Sequence, residues 1–132
     1  MSTRCQIGIY KNEALQLKNW DVLLYKHSDG YVEGTLSLLC DFVYYFNKKR
    51  GLTDTEYAGA RLIQFLTNQN IFNNILGYGI SKDFHGDIEY FYKISPTKIE
   101  VFKTHFKPNY KEWELIQTED LTTFPYQTLN TQ

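Results

Sequence analysis

Two short segments carry the residue types that move protons. His27-Ser28-Asp29-Gly30 and His85-Gly86-Asp87 share the order His-x-Asp, and they hold two of the chain's three histidines. Aromatic residues flank both, Tyr25 and Tyr31 in the first case, Phe84 and Tyr90 in the second. Imidazole, unperturbed, titrates near neutral pH, so a pair of histidines can take one proton and deliver another. Three readings fit the doublet. Asp29-Gly30 and Gly86-Asp87 are good turn formers, and the histidines can be surface residues beside turns. Alternatively, His27 and His85 converge as general acid and base, with Asp29 or Asp87 fixing a tautomer. In the third reading His27, Asp29, His85 and Asp87 bind one divalent cation, although their spacing matches no established ligand signature.

Two arginines are candidates for holding an anion. Arg4 opens an alternating segment, and its planar fork matches phosphate or carboxylate; the plainer reading is a solvated charge at a strand end. Arg61 lies in an apolar stretch between Ala60 and Leu62. It either snorkels to solvent or points toward a ligand or a partner such as Glu56 or Glu89. Glu89 follows Asp87 by two, so a strand puts both on one face, as a polar surface or as paired carboxylates. Gly77-Tyr78-Gly79 lacks the lysine and hydroxyl residue of a phosphate loop and reads as a bulge or a close backbone approach. Cys5 and Cys40 sit in apolar stripes and read as small core residues rather than nucleophiles.

The elements that position these residues follow from periodicity. Residues 4–10 alternate, with Cys5, Ile7 and Ile9 on one side and Arg4, Gln6, Gly8 and Tyr10 on the other, as in a half-buried strand. A second strand, 20–25, pairs with it as a hairpin with a long loop. The turn at 27–30 follows, with Gly30 free to adopt positive φ. Leu36, Leu39, Cys40, Val43 and Phe46 form one stripe of a helix over 32–49, with cations in its last turn and Gly51 as the stop. Thr53 and Glu56 have capping-box spacing for a second helix reaching about Asn68. Strands at 75–80, 88–94, 99–106 and an edge strand at 113–117 come next, then an irregular tail, 118–132. The order ββααβββ(β) predicts a single α+β domain over 1–132, an antiparallel sheet of about five or six strands with both helices on one face.

Composition limits the function. With 132 residues, 42% hydrophobic and 22% charged, the chain has the make-up of a folded globule. Fourteen basic against fifteen acidic residues leave a net charge of −1, which argues against a general grip on duplex DNA. Two cysteines are too few for a disulfide scaffold. No apolar run approaches a membrane span and no signal-peptide pattern opens the chain, so a cytoplasmic location without a membrane partner is expected. Aromatics reach 17%, a content suited to interfaces and ligand pockets.

Met1-Ser2-Thr3-Arg4 with Ile7-Gly8-Ile9, and then His27-Ser28-Asp29-Gly30-Tyr31, resemble a group of small uncharacterised bacterial and phage proteins that begin M-S-T-R-x-x-I-G and carry an H-x-D-G-Y turn. The segment from Gly77 through His85-Gly86-Asp87-Ile88-Glu89-Tyr90 resembles its bacterial members. The resemblance implies that Thr3, Arg4, His27, Asp29, Gly30, Tyr31, His85, Asp87 and Glu89 belong to the group's pattern. It also implies a setting in phage defence or counter-defence.

The expectation is a homodimer that binds a small anionic, nucleotide-like ligand and cleaves a phosphodiester without metal or cofactor. Arg4 and Arg61 hold phosphate, His27 and His85 exchange protons, and Tyr31 or Tyr78 stacks on a base. A ribose 2′-hydroxyl acts as internal nucleophile, and cyclic oligonucleotide signals are one substrate class. The competing expectations are a non-catalytic module that binds a ligand or protein through its aromatic surface, and a metal-dependent hydrolase using both His-x-Asp pairs.

Overall fold

The computed structural model describes residues 3–67 and 77–121. Strands β1 (Cys5–Ile9) and β2 (Val22–Lys26) form an antiparallel pair, followed by helices α1 (Val32–Asn47) and α2 (Thr55–Leu66). Strands β3 (Tyr78–Ile80), β4 (Tyr90–Ile94), β5 (Lys98–Lys103) and β6 (Glu114–Asp120) complete one six-stranded sheet in the order β3-β2-β1-β4-β5-β6. The fold is α+β, as the sequence predicts, with two α-helices and six strands among the described residues.

The sheet is mixed rather than wholly antiparallel, because β1 and β4 pair in parallel, Cys5 opposite Tyr90 and Ile9 opposite Ile94. The reason is topological. The chain leaves α2 to form β3 on the outer side of β2, then crosses β2 and β1 to lay β4 on the far side of β1. Adjacency in sequence therefore misplaces β3, which pairs with β2 and not with β4. The last strand also runs to Asp120, so 118–120 are strand and Leu121 is buried; the remainder of the expected tail lies outside the described residues.

Both faces of the sheet are covered. Alternate residues of the central strands, among them Cys5, Ile7, Ile9, Leu24, Tyr92 and Ile94, pack against Leu39, Val43, Phe46, Ala58 and Leu62 of the helices. On the opposite face Tyr10, Leu23, Ile88, Phe91 and Trp113 form a second cluster, with Trp20, Tyr25, Phe84 and Tyr110 around it. Connections rather than helices make this layer, and their rings supply the apolar area, with Phe84 centred 5.0 Å from Trp113 and 4.9 Å from Trp20. Strand β1 is consequently buried along its whole length, Gln6 included, and not half-buried as its alternation predicts.

Two local expectations change. α2 starts at Thr55 behind Asp54, with no side-chain cap, and Thr55 Oγ1 instead donates to Asp21 Oδ2 at 2.7 Å. Gly79 has open space where a Cβ would stand, so the close approach expected of the Gly77-Tyr78-Gly79 stretch is absent there.

Candidate functional site

The first His-x-Asp turn is held from five directions. The His27 amide donates to Gly77 O at 3.0 Å, and the Gly30 amide to Thr3 O at 2.9 Å. Buried Lys26 donates through Nζ to Ser28 O at 2.7 Å, Thr35 Oγ1 donates to Asp29 O at 2.8 Å, and Tyr92 Oη donates to Gly30 O at 2.7 Å. Such a turn presents its side chains in one geometry. The left-handed residue is Asp29, at φ 57°, and not Gly30. Aspartate tolerates that region. Gly30 is needed because a Cβ there would stand 2.8 Å from Cys5 Cβ and 3.0 Å from Cys5 N, so the turn lies directly on the start of β1.

The second turn belongs to the crossing from β3 to β4. That path runs over the helix-free face of β2 and β1, where Tyr25 and Gln6 stand opposite one another in register. Gln6 ties the crossing down: its Nε2 donates to Ser81 Oγ at 2.9 Å and to Asp83 O at 3.1 Å, and its Oε1 accepts the His85 amide at 3.0 Å. Phe84 is sunk in the aromatic layer next door, which leaves His85 on the surface.

The two histidines meet at Tyr25. The His85 ring stacks on the Tyr25 ring, with centres 4.4 Å apart and planes inclined by 17°. His27 Nδ1 lies 3.0 Å from Tyr25 Oη. Arg4 Nη1 is 3.3 Å from Asp87 Oδ2, and Asp87 Oδ1 is 3.9 Å from His85 Nδ1. Arg4 Nε is buried without a hydrogen-bond partner. The Tyr25 phenol is pushed above its ordinary pKa, first by burial and then by the Asp87 carboxylate, with Arg4 opposing. Arg4, Tyr25, His27, His85 and Asp87 therefore form one exposed to half-buried cluster at the end of the sheet where β1 and β4 begin and β2 ends.

Not every expected residue is in it. Arg61 stands on the solvent side of α2, where its Nη1 donates to Gln64 Oε1 at 2.8 Å; it pairs with neither Glu56 nor Glu89. The helix layer separates it from the histidines, so the expected pair of arginines on one phosphate reduces to Arg4. Tyr78 pairs with Lys26 on the helix side of the sheet, with Lys26 Nζ 5.6 Å from its ring centre. Tyr31 occupies the position before α1 and is exposed. Thr3 enters through its carbonyl, and Glu89 through backbone bonds to Arg4 O and Thr104 N. The Asp29 carboxylate has no described partner; its carbonyl does the holding. Among the described residues no group of three or more His, Cys, Asp and Glu gathers as a metal would require, so the four-ligand reading of the doublet has no cluster behind it.

The sequence reading missed Tyr25 and Gln6 as site residues. Strand alternation does carry the signal, since Tyr25 precedes His27 by two and Gln6 follows Arg4 by two. The crossing that lays His85 over Tyr25 has no local signal.

No family model, no curated protein and no solved structure matches this chain.

Proposed function

We propose that the Arg4–Tyr25–His27–His85–Asp87 cluster binds a small phosphorylated, nucleotide-like ligand and cleaves a phosphodiester by paired histidine acid–base chemistry. The observation that carries the reading is the convergence of two imidazoles, distant in sequence, on one tyrosine ring beside an arginine.

The roles follow from which nitrogen is occupied. His85 Nδ1 faces the Asp87 carboxylate, which favours a proton there and leaves Nε2 as the lone pair that accepts a proton from a ribose 2′-hydroxyl. The oxygen so freed attacks phosphorus. His27 acts as the imidazolium: its Nδ1–H donates to Tyr25 Oη, which leaves Nε2–H to protonate the departing 5′-oxygen and His27 neutral afterwards. The products are a 2′,3′-cyclic phosphate and a free 5′-hydroxyl, with no net proton change. Arg4 faces the charge that grows on the phosphoryl oxygens with the N–H groups Asp87 does not take. One protomer supplies all five residues, so the reaction does not require the homodimer expected from the sequence. A cyclic oligonucleotide signal, and with it a role in phage defence or counter-defence, remains the substrate class we favour.

The test is turnover of a panel of cyclic di- and trinucleotides and linear diribonucleotides in the presence of chelator. The wild type cleaves at least one, the 2′-deoxy analogue resists, and His27→Ala or His85→Ala lowers the rate by about 10²–10⁴-fold. Binding without turnover across the panel assigns the cluster to a non-catalytic module instead.

A further inference from the structure

The helix layer carries a groove of about 750 Å³ on its solvent side, between α1 and α2. Its floor is a compact group of rings, with Phe42 centred 5.5 Å from Phe46 and 5.8 Å from Phe65. Two tyrosines stand at its edges largely in solvent, Tyr45 at 60% exposure and Tyr57 at 53%. Among the described residues three cations line it, Lys49, Arg50 and Arg61, and no aspartate or glutamate does. Arg50 is already committed, paired with Asp54 and lying 4.6 Å over the Tyr57 ring. Lys49 and Arg61 have no carboxylate partner among the described residues, and Arg61 is steadied by Gln64 alone.

Exposed tyrosine rings beside unneutralised cations select a planar ring that carries an anion. Tyrosine faces accept a base whatever its hydrogen-bonding edge, and guanidinium and ammonium groups accept phosphate. The volume lies within the span of small-ligand pockets. A partner helix would need apolar seats over several turns, whereas the floor offers one cluster.

We propose that this groove is a second ligand site, for a free nucleoside phosphate whose base lies against Tyr45 or Tyr57 and whose phosphate meets Lys49 and Arg61. It lies on the opposite side of the sheet from His27 and His85 and does not rest on the chemistry assigned to them. The Arg61 that the sequence reading placed beside the histidines belongs here instead.

Nuclear magnetic resonance titration with adenosine 5′-monophosphate, adenosine and ribose 5-phosphate tests it, because shifts report which residues respond. The nucleotide gives saturable shifts at Tyr45, Tyr57 and Arg61, and binds about tenfold or more tightly than either fragment. The exposed double variant Lys49→Gln/Arg61→Gln keeps the fold by circular dichroism and loses that site by about tenfold or more, while any shifts at His27 and His85 persist. Absence of saturable shifts in the groove, or an unchanged affinity in the double variant, overturns the proposal. So does tighter binding there of a deoxythymidine hexamer or an acidic helical peptide, which reassigns the groove to a nucleic-acid strand or a protein.

Discussion

Tyr25 touches both imidazoles in different ways, and those contacts separate experimentally. Tyr25→Phe keeps the ring stacked on His85 but removes the oxygen beside His27 Nδ1. Loss of one such hydrogen bond, about 1 kcal/mol, lowers turnover by about fivefold with little change in stability. Tyr25→Ala also removes the surface that supports His85, and falls further. Steady-state kinetics of the two variants reads the difference; equal losses would mean that the ring does nothing for His85, and an unimpaired Tyr25→Phe that the hydroxyl does nothing for His27. Gln6 acts one step back. Gln6→Leu strands the Ser81 hydroxyl and the His85 amide, which destabilises the fold by about 2 kcal/mol and speeds amide exchange across 81–87. Denaturant titration and exchange rates measure both. The residue types and spacing in the sequence picked out His27, His85, Asp87 and Arg4 because titratable side chains announce themselves. Gln6 and Tyr25 are ordinary strand residues whose importance comes from what crosses over them.

At the scale of elements, periodicity locates both helices and the strands, since the stripe through Leu36, Leu39 and Val43 and the alternation of Cys5, Ile7 and Ile9 are local properties of the chain. Pairing is not local. That β3 joins β2 while β4 joins the far side of β1 follows from how two faces are filled at once, and the aromatic layer of Trp20, Phe84 and Trp113 is drawn from connections with no periodicity. Contact between the layers can be tested at Gly59, where α2 packs against Val22 of β2. A Cβ on Gly59 would stand 2.8 Å from Val22 Cγ2. Gly59→Leu therefore pushes α2 from the sheet and costs about 2–3 kcal/mol, although the same change on an open helix surface is stabilising. Thermal unfolding of the variant decides between those signs.

For the whole molecule, buried ionisable groups set the alkaline limit. Burial pushes the Cys5 and Cys40 thiols from 9.0 up to about 12 and raises the Tyr10 and Tyr92 phenols above their ordinary 10.0. A raised folded pKa means the unfolded chain releases these protons first. The stability they contribute is complete below pH 9 and drains away as pH rises toward 12. Lys93, whose pKa burial lowers, changes in the opposite sense, but among the described residues it is one group against six, since burial also raises the Tyr25 and Tyr78 phenols. Melting temperature should therefore fall across that range, with thiol reagents reaching the cysteines only as the protein unfolds. A flat profile would show that the two cores do not exclude water as described. The joint action of the two loops is tested most directly by the pH dependence of kcat/KM on a cleaved diribonucleotide. The wild type should give two limbs, rising as the base loses its proton and falling as the acid loses its own. His85→Ala should abolish the rising limb and His27→Ala the falling one. Both limbs surviving in both variants would contradict a proton-transfer site shared by the two turns.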